Sequence, residues 1–166
     1  LPAENADGFA KIRPVSSHKF AINDYASYRG MMMLTGIEHA KAKGNPHIVI
    51  SEDGKAAVWA GAIDDLWKLG KPVGHGGPWL ETEVKAREKS DPFLIGFYDK
   101  REMTLSHAAS SEVVFTVEVD PTGDGQWFKY TDFEVKPGVS FKHKFPKAFQ
   151  ARWIRVSTNV NTKATV

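Results

Sequence analysis

The chain reads as an all-β fold, a β-sandwich or jelly roll, on three observations. Apolar and polar residues alternate at period two over several stretches, turn residues recur between those stretches roughly every 10 to 15 positions, and helix signals are scarce. With 166 residues, 42% of them apolar, there is material for one well-buried core.

The clearest strand is Val113 to Val119. Val113, Phe115, Val117 and Val119 alternate with Val114, Thr116 and Glu118, the pattern of a half-buried strand rich in β-branched residues. It ends in DPTGDG, where proline fixes φ and glycine permits positive φ. A second strand over Gln126 to Val135 follows. After Lys136-Pro137-Gly138 comes FKHKF, with Phe141, His143 and Phe145 on one face and Lys142 and Lys144 on the other. Over Ala151 to Ser157, Ile154 and Val156 are expected to face inward and Trp153 and Arg155 outward. Asn161 to Val166 reads as a last strand.

The first half is also β, but less regular. Tyr28 to Gly36 is an apolar run too short for a helix. HIVISEDGKAAVWA is a hairpin: Ile48 and Ile50 alternate, Asp53-Gly54 turns the chain, and Ala56, Val58 and Ala60 alternate back. Between them, EHAKAKGNP has room for one helical turn. We read residues 1–166 as a single β-rich domain. Any sub-boundary is expected in the Gly-, Pro- and charge-rich stretch 70–92, with a hairpin region over 18–70 and a sandwich over 93–166.

Composition excludes several functions. The 22 basic and 20 acidic residues are mixed along the chain, so no basic stripe marks a nucleic-acid groove. Without cysteine there is no disulfide, thiolate metal site or cysteine nucleophile. No apolar run approaches the ~18 residues of a membrane span, and the opening LPAENADGF has neither a basic nor an apolar signal region. Neither a GxSxG elbow nor a phosphate-cradling GxxxxGKS is present. The histidines at 18, 39, 47, 75, 107 and 143 show no paired ligand spacing.

DGKAAVWAGAIDDLWKLGKPVGHGGPW, followed by SDPFLIGFYD and SHAASSEVVFTVEVD, resembles the C-terminal region of large secreted bacterial proteins in which a β-propeller-like body precedes a β-sandwich, often in polysaccharide breakdown. The resemblance covers about residues 18 to 166. It implies a secreted or periplasmic setting and a parent β-propeller or enzyme domain as partner. Residues 18–70 would have belonged to that preceding body, or would pack against it. No catalytic residue comes with it.

The chemistry-bearing residues concentrate between Trp59 and Trp79. Trp59, flanked by Val58 and Ala60, reads as strand and core. Trp67 and Trp79 stand in a glycine-rich segment where two roles are open: flat faces for sugar rings, with Asp64, Asp65 and His75 bonding hydroxyls, or clamps that hold the loop on the sandwich. Asp64 and Asp65 are sequence neighbours and point in different directions, which argues against a joint acid/base pair. A helix cap by Asp64 ending at Gly70, or a salt bridge to Lys68 or Lys71, fits them better. Trp153, Arg155, Trp127 and Tyr130 form a second aromatic candidate, in which Arg155 would stack or pair with an anionic sugar. Asp120 and Asp124 offer a weak calcium loop whose spacing departs from DxDxDG, a simple turn being the alternative. The function these features point to is a non-catalytic carbohydrate-binding or accessory module, against a structural interaction domain or a glycoside hydrolase or lyase fragment.

Overall fold

The structure, a computed structural model, describes residues 12–42 and 44–166; the opening LPAENADGF lies outside them. Among the described residues it is all-β and sandwich-like, built of three antiparallel sheets, with helix confined to two short 3-10 segments. None of the described helices is long and apolar enough to cross a membrane. The chain forms two compact units, Pro14–Gly74 and a C-terminal unit over His75–Val166. The division falls inside the stretch 70–92, most of which belongs to the second unit and supplies it with a strand.

The N-terminal unit is one sheet of β1 (Tyr25–Tyr28), β2 (Met31–Leu34), β3 (Ile48–Ile50) and β4 (Ala57–Gly61), in the order β1-β2-β4-β3. Arg29 and Gly30, with φ of 48° and 79°, make the turn between β1 and β2. Both being positive, they give the turn a twist that matches paired strands. The apolar run 28–36 is therefore half of a hairpin. The hairpin of β3 and β4 turns at Asp53-Gly54, where Asp53 accepts the Lys55 N–H at 3.1 Å. His39–Lys41, inside the polar connection, is a single 3-10 turn. One face of the sheet packs Leu34, Ala57 and the fully buried Trp59 against Ile37, Ala42 and Leu66.

The C-terminal unit has β5 (Thr82–Val84), β6 (Phe93–Leu94), β7 (Glu102–His107), β8 (Val113–Asp120), β9 (Phe128–Val135), β10 (Phe141–Lys144), β11 (Trp153–Thr158) and β12 (Thr162–Thr165). Two four-stranded sheets, β10-β7-β12-β5 and β6-β11-β8-β9, contribute to one apolar cluster. Met103 and Leu105 of β7 meet Val113, Phe115 and Val117 of β8 and Ile154 and Val156 of β11 there. Each such side chain stabilises the unit by about 1.5–3 kcal/mol on burial.

Against β8, the strand β9 carries a bulge. Glu118 pairs with Lys129 and Val117 with Thr131, so Tyr130 is the extra residue. Its ring joins the inner layer, edge-on to Phe149, with its Oη 3.0 Å from Nε2 of His143. Burial among these rings holds His143 below the usual histidine range.

Candidate functional site

In the N-terminal unit, the chain leaves β4 into the 3-10 helix Ile63–Lys68. Asp65, not Asp64, caps this helix: its Oδ2 accepts the Ala62 N–H at 3.0 Å while its own N–H donates to the Ala62 carbonyl. Asp65 occupies the third helical position, from which a carboxylate reaches back to the free N–H groups; Asp64 is one residue too early. At the other end the Leu69 N–H closes on Leu66 O, and the next residue, Gly70, runs against Ser17. A Cβ on Gly70 would stand 2.0 Å from the Ser17 carbonyl oxygen, so close chain passage is what requires glycine there.

The helix has three residues per turn, so residues three apart stand over one another. That spacing puts Asp65 over Lys68, which are bonded at 3.2 Å, and Asp64 over Trp67. Trp67 is 50% exposed and Asp64 is exposed, whereas Leu66 on the opposite side is buried.

A histidine completes the charged side. Lys68 Nζ lies 3.0 Å from Nε2 of His47, and an ammonium can only donate, so that nitrogen accepts. Nδ1 then carries the proton and donates to the Ala60 carbonyl at 3.1 Å. Gly61 makes room for this ring, because a Cβ there would stand 2.9 Å from Nδ1. Hydrogen bonds from Lys68 and then the Ala62 N–H hold the Asp65 carboxyl below the usual aspartate range. The set His47, Lys68 and Asp65 was not assembled from sequence. Its signal was the β3–β4 register, which pairs Ile48 with Trp59 and brings His47 to the level of Ala60.

The remaining sequence candidates lie in the C-terminal unit and do not form one site. His75 is exposed at its start. Trp79 is only 8% exposed and belongs to the apolar cluster, its carbonyl accepting the Val166 N–H at 3.0 Å. Its place in a glycine-rich segment reflects packing: Gly77 lies so near the Val166 carbonyl that no Cβ fits.

Trp153, expected to face outward, is fully buried. The alternation had its side right, because Trp153 shares a face with Arg155, but the cross-strand partner Asp120 is also fully buried, so that end of the face is closed to solvent. Arg155 donates from Nε to Glu118 at 2.8 Å and lies 4.4 Å over the Trp127 ring. Lys89 reaches the same Glu118 oxygen at 2.9 Å. Burial pushes the Glu118 carboxyl up, but the hydrogen bonds and charges of Lys89 and Arg155 outweigh it and leave it below the usual range. Tyr130 turns to the inner layer at the bulge, away from this group.

The loop considered for calcium is organised by backbone donors. Asp120 accepts N–H groups of Thr122, Gly123 and Gly125 at 3.2, 2.7 and 2.8 Å, and Asp124 accepts that of Gln126 at 3.1 Å. Donors aimed at the Asp120 carboxylate fit a tight turn and are the wrong sign for a cation. Among the described residues no group of three or more His, Asp or Glu side chains converges on a metal position.

Compared with protein-family models, with curated proteins and with solved structures, the chain has no match.

Proposed function

We propose that the protein is a non-catalytic accessory module that binds carbohydrate through the Trp67 face of the 3-10 helix, in an exported bacterial polysaccharide-processing setting. The observation that carries this reading is the half-open indole of Trp67 with the exposed Asp64 one 3-10 turn away. A pyranose has an apolar C–H face for the ring and hydroxyls for a carboxylate at its edge. Acid/base chemistry is a poor fit for the neighbouring Asp65. Its Oδ1 is taken by Lys68 and its Oδ2 by the Ala62 N–H, so both oxygens are engaged in holding the helix.

Burial of Trp79 and Trp153 favours a second reading, in which the indoles are architecture and the module serves as an interaction domain. Affinity electrophoresis over neutral and acidic polysaccharides separates the two. Retardation by at least one glycan, lost in Trp67→Ala with the thermal midpoint unchanged, is expected. Wild-type migration that no polysaccharide alters, or retardation that survives Trp67→Ala, sinks the carbohydrate proposal.

A further inference from the structure

A cleft of about 510 Å³ opens in the N-terminal unit where residues 17–20, ahead of β1, pass the end of the Ile63–Lys68 helix. Ser17, His18, Lys19, Phe20 and Leu69 line it. Its two walls are tied together by hydrogen bonds. The Ser16 hydroxyl lies 3.0 Å from the Leu66 carbonyl and 2.8 Å from that of Gly70, and the Ser17 N–H donates to Gly70 O at 3.3 Å. The Ser17 hydroxyl donates to Val73 O at 3.0 Å and accepts the Val73 N–H at 2.9 Å. The cleft is therefore formed before any ligand arrives. Phe20 and Leu69 both rest on the buried cluster around Leu34 and Trp59, which makes them a firm apolar floor.

The side-chain groups left to meet a ligand are donors. Lys19 is exposed and forms no ion pair among the described residues. Nδ1 of His18 accepts the Phe20 N–H at 3.3 Å, so the ring proton sits on Nε2 and adds a second donor. No acidic side chain lines the cleft. Apolar floor and cationic rim together call for a ligand with a C–H face and a carboxylate.

Resting on the carbohydrate reading above, we propose that this cleft seats the uronate unit of an acidic heteropolysaccharide, with its carboxylate on Lys19 and the His18 N–H and its ring face on Phe20 and Leu69. The volume lies within the ~300–1,000 Å³ of small-ligand sites. Leu69 follows Trp67 by two residues, about 4 Å along the axis at the 3-10 rise, so one polymer can meet both places. The indole takes a neutral pyranose and the cleft an acidic one. The substrate class is thus a chain in which neutral and uronate sugars adjoin.

Affinity electrophoresis of the full chain in glucuronoxylan, in hyaluronan, and in each after reduction of its carboxyl groups to alcohols is the test. At least one native polymer should bind about tenfold more tightly than its reduced form, the worth of one charge-assisted hydrogen bond. Lys19→Gln should erase that difference and keep the wild-type circular dichroism, since Lys19 is exposed. Lys142→Gln, which removes the same charge from an exposed position on β10, should preserve it. Trp67-dependent retardation that is equal for native and reduced polymers, or that only neutral polysaccharides cause, overturns the cleft and leaves the Trp67 face standing. A preference that survives Lys19→Gln, or that Lys142→Gln also erases, does the same. Migration that no polysaccharide alters overturns both.

Discussion

The two units finish the outer faces of their sheets in opposite ways. In the C-terminal unit the face turned from the core carries Arg155 opposite Glu118, and Thr116 opposite Asp132, with Lys129 bonded to Asp132 at 2.6 Å. In the N-terminal unit the corresponding positions hold Tyr28, Met33, Ala60, Val58 and Val49. Both sheets alternate with period two. The alternation marks which residues share a side, and the chemistry of the second side tells whether water or another surface meets it.

Three substitutions probe this contrast, the largest effect lying in the shared logic of the inner layers. Phe115→Ala removes a fully buried ring from β8 and should cost about 3–5 kcal/mol in urea unfolding, through lost transfer energy and the cavity left behind. On the outer face of the same sheet, Glu118→Gln leaves Lys89 and Arg155 without their shared carboxylate and should cost about 1 kcal/mol at neutral pH.

The sign of its pH dependence follows from the depressed carboxyl. The folded state favours the ionised form, so this stability is present above the unfolded value of about 4.3 and is lost as pH falls through the lower folded value. Glu118→Gln should flatten that part of the acid limb in unfolding curves measured across it. The smallest effect belongs to Val49→Thr. Val49 is 67% exposed, so calorimetry should show a change within about 0.5 kcal/mol.

Much of the fold was legible because it is local. The β8 alternation, the Asp53-Gly54 hairpin and the paired faces of β10 each lie within a few residues of their own cause. Less of the site was legible. The side on which Trp153 lies follows from its strand, but its burial depends on what closes over that end of the sheet, which no alternation encodes. His47 meets Lys68 and Asp65 only because the 3-10 helix that follows β4 turns back beside the β3–β4 hairpin, a step the hairpin pattern does not encode. The cap differs from the expected one by a single position because a 3-10 helix has a geometry that the DDLWKLG pattern does not announce. β5 and β6 are too short and too irregular in composition to stand out from the glycine- and charge-rich segment around them.

The additional residue in β9 bears on how this strand tolerates length change. Phe128 and Lys129 on one side of Tyr130, and Thr131 to Val135 on the other, keep the phase of an unbroken ladder against β8. Losing position 130 would leave every neighbour facing as it does now, while His143 would lose its phenolic partner. One codon can thus enter or leave this strand at the cost of a single ring, where a shift in phase would have sent Phe133 to water and Asp132 into the hydrocarbon layer.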